Sequence, residues 1–374
     1  MNVVIDARYL NASGSGIATY TENLLRQLLK VDSVNEYGLV TRVPGLAGRF
    51  DSARCYDIVF NAPPRSRKTR FSLGRLLNKK SYDVYHSTFN LLPSGLNRPS
   101  VVTIHDVIPL MDPALIDTAW AFRWTAGRFW RRGISHAVHH TSLLVTISST
   151  SAHEIAKHFG PEVAARIIVT GSGLDPFFLE DVGDDRALVE HLVGGSFPYV
   201  LTVGQGSPRK NHVRAIRAFE RAFAPDDPMR YVLVRRLRRP DREFERVIAD
   251  PSIRDRLIVV GHVRNEELRA LYRNSQAFFF PSLVEGFGLP IIEAMASRCP
   301  VVTSDLGAMA EVAGDAAWLC SPLEISAMAS ALRAATTDGS ERSRIIERGV
   351  ERTTAFDFQR CAERTLEVYR RLVE

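Results

Sequence analysis

The sequence predicts an α/β protein of two domains, each built on a parallel sheet. Three observations lead there. The chain has 374 residues, 45% of them hydrophobic, enough for two cores of ordinary domain size. Short apolar runs alternate with glycine turns and helical patterns, the rhythm of strand–loop–helix units. That rhythm starts twice, at NVVIDARYL near the N-terminus and again at YVLTVGQGS from Tyr199.

Composition narrows the class. No run approaches the roughly 20 apolar residues of a membrane-crossing helix. MNVVIDARYL reads as a strand carrying Asp6, not as a signal peptide. Cys55, Cys299, Cys320 and Cys361 are scattered with no CxxC pair, which points to a reducing cytoplasm and away from a zinc site. A net charge of +6 suits anionic partners without naming one.

The elements follow in order. After the first strand, NASGSGIATYTENLLRQLLK is a glycine loop opening a helix, with Leu24, Leu25, Leu28 and Leu29 at helical spacing. Gly14-Ser15-Gly16 is not G-x-G-x-x-G, because Thr19 stands at the third glycine position, so a dehydrogenase reading is weak. Residues 58–82 contain no acid but carry Arg65, Arg67, Lys68, Arg70, Arg75, Lys79 and Lys80, interleaved with Phe71, Leu73, Leu76 and Leu77. Such a 65–80 segment suits an anionic membrane surface as well as it suits a solvated face over a core helix. No nucleic-acid motif accompanies it.

SYDVYHSTF and SVVTIHD read as strands that bring His86, and then His105 with Asp106, to their carboxyl ends. The following helix holds Trp120, Trp124, Phe129 and Trp130, a core pattern. Its His136, His139 and His140 lack acidic or cysteine partners at ligand spacing, so no metal site is expected. SLLVTISSTSAHEIAKHFG is strand, capped turn and helix, and ARIIVTGSGLDPFF closes the first domain. A linker over 175–196 holds a short helix at RALVEHL. The second domain then opens with a strand whose turn holds Gly204, Gly206, Arg209, Lys210 and Asn211. RLIVVGHVRNEELRALY is strand, turn and helix.

The densest stretch is FFFPSLVEGFGLPIIEAMASRCPVVTSD, Phe278 to Asp305. A buried strand ends at Pro281. A glycine loop with Glu285 follows, and Pro290 sits where a helix begins. A glycine loop and a helix N-terminus at the carboxyl end of a strand suit an anion. Glu285 and Glu293 suit hydroxyl groups, because ionised carboxylates only accept. Hydroxyls at both ends with negative charge between describe a nucleotide-diphosphate sugar. A glycosidase reading of the two carboxylates has no other support in the chain.

EGFGLPIIEAM resembles the E-x7-E region of family four, the group 1 retaining glycosyltransferases of the GT-B fold; TIHDVIPL and PRKN extend the likeness. The resemblance implies two Rossmann-like domains with parallel sheets facing across a cleft. It implies an acceptor-binding domain over 1–178, a nucleotide-sugar domain over 179–355, and a helix over 356–374 that packs back on the first domain. By resemblance Glu285 holds the transferred sugar, Phe287, Gly288 and Leu289 meet sugar or diphosphate through backbone N–H groups, and Glu293 binds the ribose. Lys210 stabilises the leaving diphosphate, Gly16 closes over it, and Val263 lines the base. His105 contacts the sugar, and His86 and Asp106 belong to the acceptor side. Relatives often carry an arginine where Gln205 stands; Arg209 or Arg235 is the candidate substitute. LGAMAEVAGDAAWLCSP resembles the family's closing strands and turns.

The resemblance implies an enzyme without cofactor or metal, with Lys210 and helix N–H groups in the metal's place. Likeness to bacterial mannosyltransferases of surface polysaccharide synthesis, lipopolysaccharide included, points to GDP-mannose as donor. The acceptor would be a saccharide or a lipid-linked oligosaccharide, and the protein cytoplasmic or peripheral on the inner membrane face. The alternatives are a donor-binding subunit without activity, and an epimerase or phosphorylase of the same fold.

Overall fold

A computed structural model describes residues 1–11, 16–115, 120–236 and 242–374, which form two compact units. Gly14, Ser15, the side chains of Trp120 and Trp124, and most of the arginine run 235–242 lie outside the described residues. One unit comprises Met1–Met111, Trp124–Gly173 and Asp357–Glu374; the other comprises Asp112–Arg123 and Leu174–Phe356.

The first unit holds a seven-stranded parallel sheet. Its strands are β1 (Asn2–Asp6), β2 (Glu36–Thr41), β3 (Cys55–Val59), β4 (Val84–Ser87), β5 (Ser100–Ile104), β6 (Leu143–Thr146) and β7 (Ile167–Val169), in the order β3-β2-β1-β4-β5-β6-β7. Apolar runs such as SVVTI are buried from end to end, as a parallel sheet covered on both faces requires. Sequence reading leaves out β2 and β3, which extend one edge. The outermost, CYDIV, is largely open to solvent, so it lacks the continuous apolar signature of its neighbours.

The second unit holds a six-stranded parallel sheet of β8 (Tyr199–Gln205), β9 (Arg230–Arg236), β10 (Leu257–Val260), β11 (Ala277–Phe280), β12 (Val301–Ser304) and β13 (Trp318–Cys320), ordered β10-β9-β8-β11-β12-β13. Val200 of β8 lies between Tyr231 of β9 and Ala277 of β11. The direction of winding reverses between β1 and β4 in one sheet and between β8 and β11 in the other. Such reversal points open a crevice at the carboxyl ends of the strands.

Two expectations are corrected. Within LGAMAEVAGDAAWLCSP only Trp318–Cys320 is a strand; Gly307–Ala313 is a helix that buries Ala308, Met309, Val312 and Ala313, at helical spacing. The second correction concerns His86. It is fully buried, with Nδ1 bonded to the Tyr369 hydroxyl at 2.6 Å and Nε2 to Thr103 Oγ1 at 2.8 Å. Both ring nitrogens are engaged inside the unit, so His86 offers nothing to an acceptor.

Tyr369 comes from the last helix, Phe358–Arg370, capped by Asp357, whose carboxylate accepts from the Gln359 N–H at 2.8 Å. This helix packs in the first unit against the helix Gly16–Val31. Tyr20 and Phe358 meet there at 6.2 Å between ring centres. Gly173 admits the returning chain, because a Cβ there would stand 2.4 Å from the Phe358 backbone nitrogen. Burial pushes His86 down to about 3, so the ring stays neutral, a single N–H donor. Tyr369→Phe removes the hydroxyl and leaves His86 Nδ1 buried without a partner. We expect a loss of about 1–3 kcal/mol in denaturant unfolding; an unchanged midpoint would show that the bond adds nothing.

Candidate functional site

The winding reversal of the second sheet places two loops side by side. One follows β8 and carries Gly206 to Asn211; the other follows β11 and carries Pro281 to Gly288. They are joined by backbone and side chain. The Leu283 N–H donates to the Arg209 carbonyl at 2.7 Å. Asn211, in the left-handed conformation at φ 59°, donates its amide to the Pro281 carbonyl at 3.1 Å and the Pro322 carbonyl at 2.7 Å. That turn of the chain aims the two preceding cations at the second loop.

There Lys210 Nζ stands 2.7 Å from Glu285 Oε1, and Arg209 pairs with the other carboxylate oxygen. The Lys210 ammonium also lies over the Phe280 ring, 4.3 Å from its centre, an attractive arrangement. Burial alone would raise the Glu285 carboxyl, but Arg209 and Lys210 outweigh it and hold the group at about 2. Burial draws Lys210 down to about 8, with Glu285 opposing, so the ammonium persists at neutral pH.

Arg235 adds a third cation. Its guanidinium fills the space a side chain at Gly206 would need, since a Cβ there would lie 2.9 Å from Arg235 Nε. It also stacks on Phe244, 3.5 Å from the ring centre. His212 lies beside the glycine turn, where a Cβ at Gly204 would stand 3.2 Å from its Nε2, and its ring nitrogens have no hydrogen-bond partner among the described residues. Burial, then the charges of Arg235, Lys210 and Arg209, push it down to about 3. Arg209 and Lys210 therefore both face the ionised Glu285.

The loop after Glu285 completes the anion setting. Gly288 has φ 115°, a conformation side chains resist, and it turns the chain into the helix Leu289–Ala296, with Pro290 in its first turn. The N–H groups of Phe287, Gly288 and Leu289 have no hydrogen-bond partner among the described residues. The Phe287 side chain is buried, edge-on to Phe356 at 5.6 Å, so only its backbone is available. Glu293, one turn into the helix, accepts from the Tyr272 hydroxyl at 3.2 Å. Burial raises its carboxyl to about 7, so it titrates near neutrality. Val263 is half-buried in the turn between β10 and the helix Asn265–Asn274.

Gly16, His105 and Asp106 are residues of the first unit. Gly16 is exposed at the start of its helix. His105 follows β5 and is tightly held. Its Nε2–H donates to the Thr88 carbonyl at 2.8 Å, its backbone N–H to Asn90 Oδ1 at 2.8 Å, and its carbonyl accepts from Ser151 Oγ at 2.9 Å. Tyr20 packs edge-on against the ring at 5.0 Å. Burial lowers His105 to about 4. The imidazole is thus neutral, with the proton on Nε2 and the lone pair on Nδ1. Asp106 Oδ1 accepts from the Ile108 N–H at 3.1 Å, fixing the turn after β5.

Of the residues singled out from sequence, the structure gathers Arg209, Lys210, Glu285 and Glu293. Sequence reading missed His212 and Tyr272, which carry no motif; only the fold brings a histidine one residue beyond Asn211 under the glycine turn. Among the described residues no three His, Cys, Asp or Glu side chains cluster as metal ligands would. No described helix is long and apolar enough to cross a membrane.

Comparison with known proteins bears on this arrangement. The group 1 glycosyl transferase profile matches residues 186–352, and that of glycosyltransferase family 4 matches residues 14–176. The O-antigen chain mannosyltransferase B of Escherichia coli is 24% identical over the whole of both chains. The MMP alpha-(1->4)-mannosyltransferase of Mycolicibacterium hassiacum is 26% identical over 82% of this chain and 74% of its own. The sucrose-phosphate synthase of Thermosynechococcus elongatus, 19% identical, superposes over 100% of this chain and 99% of its own with a TM-score of 0.77; it shares the GT-B fold of paired parallel-sheet domains. A family 4 domain followed by a group 1 domain accounts for nearly the whole sequence, and the chain is a glycosyltransferase of that family.

Proposed function

We propose that the chain transfers mannose from GDP-mannose to a saccharide or lipid-linked acceptor in surface polysaccharide synthesis, with retention at the anomeric carbon. The observation that carries the reading is the buried Lys210–Glu285 pair at 2.7 Å, set beside the unbonded N–H groups that precede the helix Leu289–Ala296. The mannosyltransferase names of the relatives support the sugar.

The chemistry follows from the charges. A sugar leaves a nucleoside diphosphate as charge grows on the departing phosphate, and fixed cations and N–H donors stabilise that charge without reorganising. Lys210, Arg209 and the N–H groups of Phe287, Gly288 and Leu289 are those donors. Glu285 stays ionised and can accept from sugar hydroxyls while it holds Lys210 in place. Glu293, with its carboxyl near 7, can donate to or accept from a ribose hydroxyl. His105 offers a lone pair on Nδ1 for a sugar hydroxyl. Retention is consistent with attack on the face the leaving phosphate occupies, that phosphate taking the acceptor's proton. No side chain is needed as nucleophile. A thermal-shift panel of nucleotide sugars tests the donor, because a ligand that binds only the folded state raises the melting temperature. The absence of a shift with GDP-mannose, beside a shift with another donor, would replace the sugar.

Lys210→Ala should lower kcat/KM by about a hundredfold or more, the effect of removing one preorganised charge donor. Glu285→Gln should lower kcat to a similar degree. Wild-type rates in both variants would remove the assignment. The pH dependence has a defined sign. Lys210 is a base whose folded value, about 8, lies below its ordinary one, so it loses its charge first in the folded protein. Diphosphate affinity should therefore be full at about pH 7 and fall towards about pH 9. Lys210→Arg should abolish that fall, because guanidinium stays charged. A pH-independent affinity in the wild type would show that Lys210 does not bind the diphosphate.

A further inference from the structure

The first sheet has its own winding reversal, between β1 and β4, and a cavity of about 470 Å³ opens beside it. Asp6 and Arg8 at the end of β1 and Phe89 after β4 line it, with the basic segment and the helix Trp120–His140 completing the wall. Among the described residues, none of the second unit contributes.

The charge on this wall is one-sided. Arg8 is satisfied: it is 2% exposed, pairs with Asp6 through Nε at 2.8 Å and Nη2 at 2.5 Å, and donates to the Ala62 carbonyl and Thr69. Among the described residues Asp6 is the only carboxylate of the cavity, and it is thereby engaged. Arg65, Arg67, Arg70, Arg128 and Arg132 also line it. Among the described residues Arg65, Arg67, Arg70 and Arg132 have no carboxylate partner. Arg65 is held in position, its guanidinium 4.8 Å from the centre of the Trp130 ring and its Nε donating to the Tyr9 hydroxyl at 3.1 Å. Arg70 Nε is enclosed without a hydrogen-bond partner. Four unpaired guanidinium groups around one cavity are a receptor for phosphate oxygens, which match their paired donors.

Ser66, Thr69 and His136 add a few polar groups, and most of the remaining wall is apolar. Phe71, Phe89, Leu91, Leu92, Pro93 and Phe129 line it, and Phe71 and Phe129 remain 55% and 36% exposed at its rim. Most of this remaining surface offers no hydrogen-bond partner to a polyol's hydroxyls. An apolar chain needs none and gains by leaving water.

We propose that this cavity binds a phosphorylated long-chain lipid, with its phosphate on the arginines and the first part of its chain against the phenylalanines and leucines. A role in anchoring a lipid-linked acceptor rests on the transfer reaction proposed above; the binding itself does not. Farnesyl diphosphate, titrated into the whole protein by calorimetry, is the probe, with inorganic diphosphate, farnesol and mannose 1-phosphate as comparisons. Farnesyl diphosphate should bind at least about tenfold tighter than each comparison, since it alone meets both the cationic and the apolar wall. Arg67→Ala with Arg132→Ala, both exposed and unpaired positions, should weaken it by about tenfold or more at an unchanged melting temperature. Phe129→Asp should weaken farnesyl diphosphate and leave inorganic diphosphate as it was. Lys210→Ala should not alter farnesyl diphosphate binding, which separates this cavity from the site of the second unit. In the Lys210→Ala protein, inorganic diphosphate or mannose 1-phosphate binding as tightly as farnesyl diphosphate, or wild-type affinity for farnesyl diphosphate in the double arginine variant, would overturn the proposal.

Discussion

A carboxylate buried between cations is the constraint on which the second unit's site depends. Glu285 cannot lose its charge while Arg209 and Lys210 stand against it, and neither loop could hold such a charge alone. Desolvating a charge is expensive, and removing one partner of a buried pair leaves the other uncompensated. The pair therefore fixes the separation of the two loops as firmly as the backbone bond from Leu283 to Arg209.

The first unit repeats the device with a different result. Asp6 and Arg8 are buried at the end of β1, where the sheet's winding reverses, and the Tyr85 hydroxyl donates to Asp6 at 3.1 Å. Here the charges cancel, and the pair is wall rather than receptor. The receptor charge comes from the basic segment and from the helix Trp120–His140. Both sheets thus use the same topological feature, a winding reversal that frees the carboxyl ends of adjacent strands. Each lines it with different chemistry: a mixed-charge loop cluster in one unit, arginines over an apolar floor in the other.

Neutral histidines show how burial assigns roles. His86, His105 and His212 are all depressed well below their ordinary range, yet their surroundings differ. His86 is bonded on both nitrogens and belongs to the core. His105 is bonded through Nε2 and held by its backbone at the end of β5. His212 has no hydrogen-bond partner among the described residues and sits among cations. The motif VYHS and the motif TIHD look alike as strand ends. Only the hydroxyls of Thr103 and Tyr369 separate them, and Tyr369 lies 283 residues from His86.

The sequence by itself determined the fold class, the two parallel sheets and most of their strands, because buried parallel strands are apolar throughout and leave a local signature. It also determined the glycine loop with Glu285, the Pro290 helix start and the Arg209-Lys210-Asn211 turn, whose residue types are dictated by backbone geometry and charge. Edge strand β3 escaped it because one-sided exposure breaks that signature. Tertiary structure alone decided which charges meet. Glu285 lies 75 residues from Lys210, and nothing local says that they pair. It decided equally that the run of arginines after Pro64 faces Phe89 and Phe129 across a cavity. In the chain that run is a bare excess of charge; its meaning depends on what packs opposite, and long-range packing leaves no trace in local spacing.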